Sequence, residues 1–214
     1  MKQMKMVYLY SRYERFWHWT QAFLILFLAL TGFEIHGSYR LFGFENAVHL
    51  HNNAAYILIV LIIFTIFWHF TTGEWRQYLP TGKNLKAQLD YYITGIFRNA
   101  PHPVKKTILS KLNPMQRLVY LGLKIIFIPV MVLSGLAYML YRYQYDGVIH
   151  SSGFNDLYLI ASIHTLGAYI LLAFVIVHVY LITTGHSLTS NLRAMITGWE
   201  ALEEETTDKE TEQK

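Results

Sequence analysis

Residues 161–180, ASIHTLGAYILLAFVIVHVY, carry two histidines, His164 and His178, in a run with no charged side chain. Extended to roughly Tyr158 through Thr184, the run is long enough to cross a hydrocarbon core of about 30 Å as a helix. At about 100° and 1.5 Å per residue, the two imidazoles fall within roughly 40° of one another on one face, stacked about 21 Å apart. One helix therefore offers two ligands at two depths. Imidazole in hydrocarbon is costly unless it is paired or coordinated. Haem iron is the leading candidate, because haem is itself apolar and takes neutral imidazole as an axial ligand.

The rest of the chain fits that helix. Of its 214 residues 53% are hydrophobic and only 15% charged, a membrane composition rather than a soluble one. Four apolar stretches, about 16–35, 54–72, 118–141 and 158–184, each suffice for one span. The expected fold is all-α, a four-helix transmembrane bundle forming one domain over residues 1–199.

Lysine and arginine set its orientation. Lys2, Lys5, Arg12 and Arg15 precede the first span, and the second connection holds Arg76, Lys83, Lys86, Arg98, Lys105, Lys106, Lys111 and Arg117. The first and third connections hold only Arg40 and Arg142. The positive-inside rule then predicts both termini and the middle loop in the cytoplasm. The net charge of +4 reflects this bias and is no footprint for nucleic acid. The first apolar run is of spanning length, which argues against a cleaved signal peptide. With no cysteine the chain has no thiolate ligand, disulfide, Fe–S cluster or covalently attached haem.

Ser11 and Glu14 have capping-box spacing, Asn46 is a candidate start for the second helix, and Asn155 or Asp156 for the fourth. Between Pro80 and Pro101, LKAQLDYYITGIF reads as a short amphipathic helix on the cytoplasmic membrane surface or, equally, as a cytoplasmic hairpin with no ligand role. The acidic tail, residues 200–214, lacks aromatics and reads as disordered.

Helix starts fix depth, and depth pairs the histidines. His18 enters from the cytoplasmic end of the first helix, and His178 lies close to the cytoplasmic end of the fourth; they are expected to meet near the inner face. His51 and His164 are expected to meet near the outer face. Two bis-histidine sites across one bundle make a wire for electrons. His69, eighteen residues after His51, is either a replacement for His18 or His178 or part of a quinone site. His49 is a weaker ligand candidate, and His36, His102, His150 and His186 read as interfacial. Aromatic residues at the span ends read as an interfacial belt. Gly32, Gly135 and Gly167 would admit a macrocycle or a neighbouring helix. Arg12, Arg15, Arg40 and Arg142 are either propionate partners or anchors of their spans.

Arg15-Phe-Trp-His18-Trp with Thr31-Gly32, His51-Asn-Asn-Ala-Ala-Tyr, Ser134-Gly135 and the histidines fourteen apart together resemble one family. It is that of the dihaem cytochrome b subunits of membrane-bound nickel–iron hydrogenases, formate dehydrogenases and thiosulfate reductases. His69 and the run WHFTTGEWRQYLPT bring the chain nearest the thiosulfate-reductase-like, multihaem-cytochrome-associated branch. The resemblance implies two haem b groups, menaquinone or ubiquinone as substrate, and the bacterial inner membrane as location. It also implies a periplasmic redox subunit as partner: a multihaem cytochrome c, the Fe–S protein of a molybdoenzyme, or a hydrogenase. By the same resemblance Asn113 and Gln116 fall where the family contacts quinone near the inner haem, and His69, Glu74 and Gln77 add polar groups at that level. The chain would then be the electron-transfer subunit of a quinone-linked oxidoreductase. The alternative is a haem-free anchor or proton-conducting subunit. A relay needs closely spaced ionisable groups through the bilayer, whereas the spans carry no acidic residue at mid-depth and the histidines cluster at two levels.

Overall fold

The computed structural model describes residues 4–98, 100, 103–104, 107, 110–143, 154–185 and 187–203. His102, His150, His186, the side chains of Arg142, Asn155 and Asp156, and the tail beyond residue 203 lie outside the described residues. Four helical runs are long and apolar enough to cross a membrane: Arg12–Ile35, Phe44–Thr72, Pro114–Tyr141 and Leu157–Ile182. The fold is all-α apart from one two-stranded ribbon.

The first helix, α1 (Arg12–Ile35), begins at the expected capping box. The Ser11 amide donates to Glu14 Oε2 at 2.7 Å, and the Glu14 amide to Ser11 Oγ at 3.3 Å. Two orphan donors are thereby satisfied. The second helix, α2 (Phe44–Thr72), starts two residues before Asn46, after Gly43 at φ 84°. No side chain caps it; instead Glu34 Oε1, from the end of α1, accepts from the amides of Leu41, Phe42 and Gly43 in the loop ahead of it at 2.7–2.8 Å. The glycine permits the left-handed turn, and the carboxylate draws three amides together. His51 thus lies inside α2 rather than in a loop ahead of it.

The middle connection holds a 3-10 turn, Glu74–Tyr78, and α3 (Leu85–Asp90), which runs on as further helical turns to Arg98. The residue that α3 buries is polar, the Gln88 side chain being fully enclosed, while Leu89 and Ile93 stay exposed. The third span begins as α4 (Pro114–Gly122) under a capping box between Asn113 and Gln116, with proline at its first position. It widens into a π-helical turn, Leu123–Phe127, and resumes as α5 (Ile128–Tyr143). The fourth span is α6 (Phe154–Ile182), followed by α7 (Ser190–Thr197).

A strand pair departs from the expectation of a disordered C-terminal tail. β1 (Met4–Tyr8) pairs antiparallel with β2 (Trp199–Glu203), Tyr8 opposite Trp199. Residues 200–203, read from composition as tail, therefore belong to a ribbon. Gly198, at φ 88°, turns α7 into β2 and accepts the amides of Leu9 and Tyr10 through its carbonyl. This fastens both described ends at one end of the bundle, the near end.

α1 packs along α2 and α5 along α6, whereas close approach between the two hairpins is sparse. The small core, Leu24, Ala54, Leu58 and Leu61, belongs to the first hairpin alone. Large side chains such as Phe67, Leu133 and Ile176 stay more than half exposed along the spans, as the outward faces of membrane-crossing helices do.

Candidate functional site

The gap between the hairpins is bridged at two levels by facing imidazoles. Near the ribbon, His18 of α1 faces His178 of α6 with ring centroids 6.2 Å apart. At the far end, His51 of α2 faces His164 of α6 at 6.3 Å. These are the pairs the depth argument joins. The separation is too wide for ring contact or a direct hydrogen bond. Two metal–imidazole bonds of about 2 Å, with each centroid about 1 Å behind its nitrogen, sum to about 6 Å across one ion. Among the described residues no cluster of three or more metal-ligating side chains exists. A two-ligand, face-to-face site suits a metal whose other ligands come from a macrocycle, and that is how haem iron is held.

Far-end hydrogen bonding frees the outward nitrogen. Thr31 Oγ1 donates to the Phe27 carbonyl at 2.9 Å and lies 3.0 Å from His51 Nδ1. Having spent its one proton on the carbonyl, the hydroxyl accepts from Nδ1–H. His51 Nε2 is left as a bare lone pair. The same device recurs on the other hairpin, where Ser134 Oγ donates to the Val130 carbonyl at 2.6 Å and lies 3.0 Å from His164 Nδ1. Each hydroxyl residue is followed by glycine. A methyl on Gly32 would stand 3.3 Å from His51 Cε1, and one on Gly135 would stand 3.2 Å from His164 Cε1. These glycines make room for the imidazoles themselves rather than for a macrocycle edge. Gly167 makes room for the Met131 thioether of α5.

The near-end pair is supported otherwise. His18 Nδ1 is buried and has no hydrogen-bond partner. Its ring meets Trp19, while His178 lies against Phe174 and Tyr120. The helix around His18 is pinned instead: Arg15 Nη1 donates to the Ile196 carbonyl at 2.6 Å and Trp19 Nε1 to the Met195 carbonyl at 3.1 Å. Arg15 also reaches the Tyr8 hydroxyl, so its guanidinium is largely committed to protein rather than held free for a propionate.

His69 occupies a third environment. It is buried on α2, and its Nδ1 donates to the Thr65 carbonyl at 2.7 Å. Its Nε2 accepts from Lys124 Nζ at 3.2 Å, with the Tyr78 hydroxyl at 3.4 Å. Trp17, Trp68 and Tyr78 surround the ring. Both its nitrogens are engaged in hydrogen bonds, and among the described residues no histidine faces it. His49 is exposed on α2, and His36 is the exposed C-cap of α1.

Asn113 and Gln116 are spent largely on the cap of α4. The Gln116 amide donates to Asn113 Oδ1 at 2.8 Å and the Asn113 amide to Gln116 Oε1 at 3.0 Å, while Asn113 Nδ2 donates to the Tyr92 hydroxyl at 2.7 Å. Burial raises the Tyr92 phenol above its ordinary range, opposed by the Asn113 hydrogen bond. Glu74 joins Glu14 in holding Lys111, with Nζ 3.2 Å and 2.7 Å from the two carboxylates. Burial, then the nearby Glu14, also push the Tyr78 phenol up, so it stays protonated.

Sequence reading passes over Lys124, although a basic residue in an apolar span is itself a signal. It also overlooks the Thr31 and Ser134 hydroxyls as partners of histidine, because their helix faces are set by packing.

The match to known proteins falls on this framework. A family model described as prokaryotic cytochrome b561 matches residues 9–198, from before α1 to the turn into β2. The chain belongs to the prokaryotic cytochrome b561 family. It is also 26% identical over 200 residues to the putative cytochrome YdhU of Escherichia coli strain K12, covering 90% of this chain and 74% of that one. The cytochrome is accordingly a multi-pass bacterial membrane protein that binds haem b and acts in electron transfer. Its chemistry resides in the haem, and the chain supplies ligands, burial and a hydrogen-bonded surround.

Proposed function

We propose that this cytochrome holds two b haems, one between His18 and His178 and one between His51 and His164, and moves electrons between the quinone pool and a redox partner. The observation that carries the reading is the matched pair of imidazole separations, 6.2 and 6.3 Å, at two levels of one bundle. Bound haem supplies one-electron transfer at each level. The four histidines set iron position, and at the far end Thr31 and Ser134 set tautomer and ring orientation. About 21 Å separates the two levels along α6, and haem edges would shorten that distance.

The charge bias supports a cytoplasmic near end and a far end toward the periplasm of the inner membrane. The quinone site is proposed at the near end, where His69, Glu74, Asn113 and Gln116 supply polar groups beside the His18–His178 level. Asn113 and Gln116 serve there chiefly by fixing the start of α4, with Gln116 Nε2 outside the cap bonds. The far-end haem then faces the partner: a multihaem cytochrome c, an Fe–S subunit of a molybdoenzyme, or a hydrogenase.

The test is a dithionite-reduced minus oxidised spectrum of the purified protein, with haem measured per chain as pyridine haemochrome. Two low-spin b haems per chain are expected. A single haem sinks the paired-site reading, and none, after expression with adequate haem, favours a haem-free anchor or proton-conducting subunit.

A further inference from the structure

Lys124 lies ten residues past Pro114 in the third span, at the π-helical turn, about 15 Å along the helix from its start. A cation at such depth is costly unless something compensates it. Among the described residues it has no carboxylate partner, because the two nearby acids, Glu14 and Glu74, are taken by Lys111. Its ammonium donates to His69 Nε2 at 3.2 Å and lies 3.8 Å from the centroid of the Tyr78 ring and 4.7 Å from that of Trp17. Ring faces stabilise a cation yet leave its N–H groups without an oxygen acceptor. His69 cannot donate in return, since its one proton goes to the Thr65 carbonyl. The imidazole therefore orients the ammonium and takes up one of its three N–H bonds.

Trp17 precedes His18 in sequence, and Tyr120, one turn before Lys124, touches the His178 ring. Lys124, four residues after Tyr120 in the third span, thus falls on the helix side that carries Tyr120 against His178. Its walls are the flat ring faces of Trp17 and Tyr78, the Tyr78 hydroxyl lies 3.4 Å from His69 Nε2, and the ammonium is a donor with capacity to spare. A planar apolar ring bearing a carbonyl oxygen fits that description.

We infer that Lys124, aimed by His69, is the hydrogen-bond donor that grips one carbonyl oxygen of the quinone beside the His18–His178 pair. This rests on the quinone reading above. A donor here holds the quinone at the haem level and favours the oxygen as it gains electron density. Lys124 is a binding residue and His69 a positioning residue.

The experiment is a fluorescence-quench titration of the haem-loaded, detergent-solubilised full chain with a hydroxyquinoline N-oxide, a quinol analogue. It is run on wild type, Lys124→Met and Lys124→Gln, with haem content and both haem midpoints recorded for each. Expected are saturable binding by wild type and at least tenfold weaker binding by Lys124→Met, with two haems retained. Lys124→Gln keeps an N–H donor and should bind between the two. If wild type shows no binding, the quinone reading fails. If wild type binds and both variants bind as tightly, the quinone reading stands and the role of Lys124 is overturned. It is also overturned if both variants lose the near-end haem, for the lysine would then serve the haem rather than the quinone.

Discussion

The two histidine pairs have nearly the same separation and opposite kinds of support. At the far end the imidazoles are held directly, each Nδ1–H on a hydroxyl that is itself anchored to a helix carbonyl. At the near end His18 Nδ1 is buried without a partner, and the helix bearing it is tied to the last turn of α7. Orientation at the far end is therefore built into the side chains, and at the near end into the backbone. The difference has an electronic consequence. A hydrogen-bonded imidazole is a stronger donor to metal and favours the oxidised ion, whereas the Lys124 ammonium near the other pair disfavours added positive charge.

The largest effect comes from removing a ligand on the shared helix. His164→Ala is expected to halve haem content by eliminating the far-end haem, and His178→Ala to halve it at the near end. His69→Ala should leave both. Pyridine haemochrome on the three purified variants decides it, and full haem retention by either α6 variant would break the pairing.

Next in size is the split between the two haems in a redox titration. The far-end haem should have the lower midpoint, and Thr31→Val and Ser134→Ala should each raise it toward the other. If the hydroxyl favours oxidised over reduced iron about tenfold, the shift is about 60 mV for one electron. The near-end midpoint should stay put. Equal movement of both haems would mean that the hydroxyls act through global packing. Gly135→Ala, whose methyl would crowd His164 Cε1 at 3.2 Å, should alter the far-end low-spin EPR signal without loss of haem.

What sequence reveals about these two ends follows from what residue counting can measure. Depth and helical phase depend on spacing alone, so residue numbers suffice to put His164 and His178 on one helix face and to match each with a partner at its level. Support depends on which faces of different helices meet, and spacing does not fix that. Gly32 and Gly135 therefore read as room for a macrocycle or a neighbouring helix, and the folded chain brings an imidazole from the neighbouring helix against each. The start of α2 eludes sequence for the same reason: the loop leading into it is gathered by Glu34, from the preceding helix, and no side chain caps the helix locally. The ribbon is hidden because MKMVY and WEALE are short and weakly patterned, and neither strand forms without the other. Met4 meets Glu203 only once the whole bundle between them has folded. A two-stranded pair of this length is marginal on its own.

The smallest expected effect tests whether backbone pinning substitutes for the missing hydrogen bond at His18. Trp19→Phe keeps the aromatic contact with His18 but removes the indole N–H that holds the Met195 carbonyl at 3.1 Å. A single neutral hydrogen bond at a partly exposed site contributes about 1 kcal/mol. Against two haem–protein bonds this cannot expel the near-end haem, but it should loosen it. The measurement is haem release to excess apomyoglobin, followed separately for the two low-spin signals. The near-end signal should decay several-fold faster than in wild type, since about 1.4 kcal/mol corresponds to tenfold in a rate at room temperature. The far-end signal should be unchanged, because Thr31 and Ser134 hold His51 and His164 without help from α7. Equal acceleration at both ends would mean that α7 stabilises the bundle as a whole, and the contrast between side-chain and backbone support would then collapse.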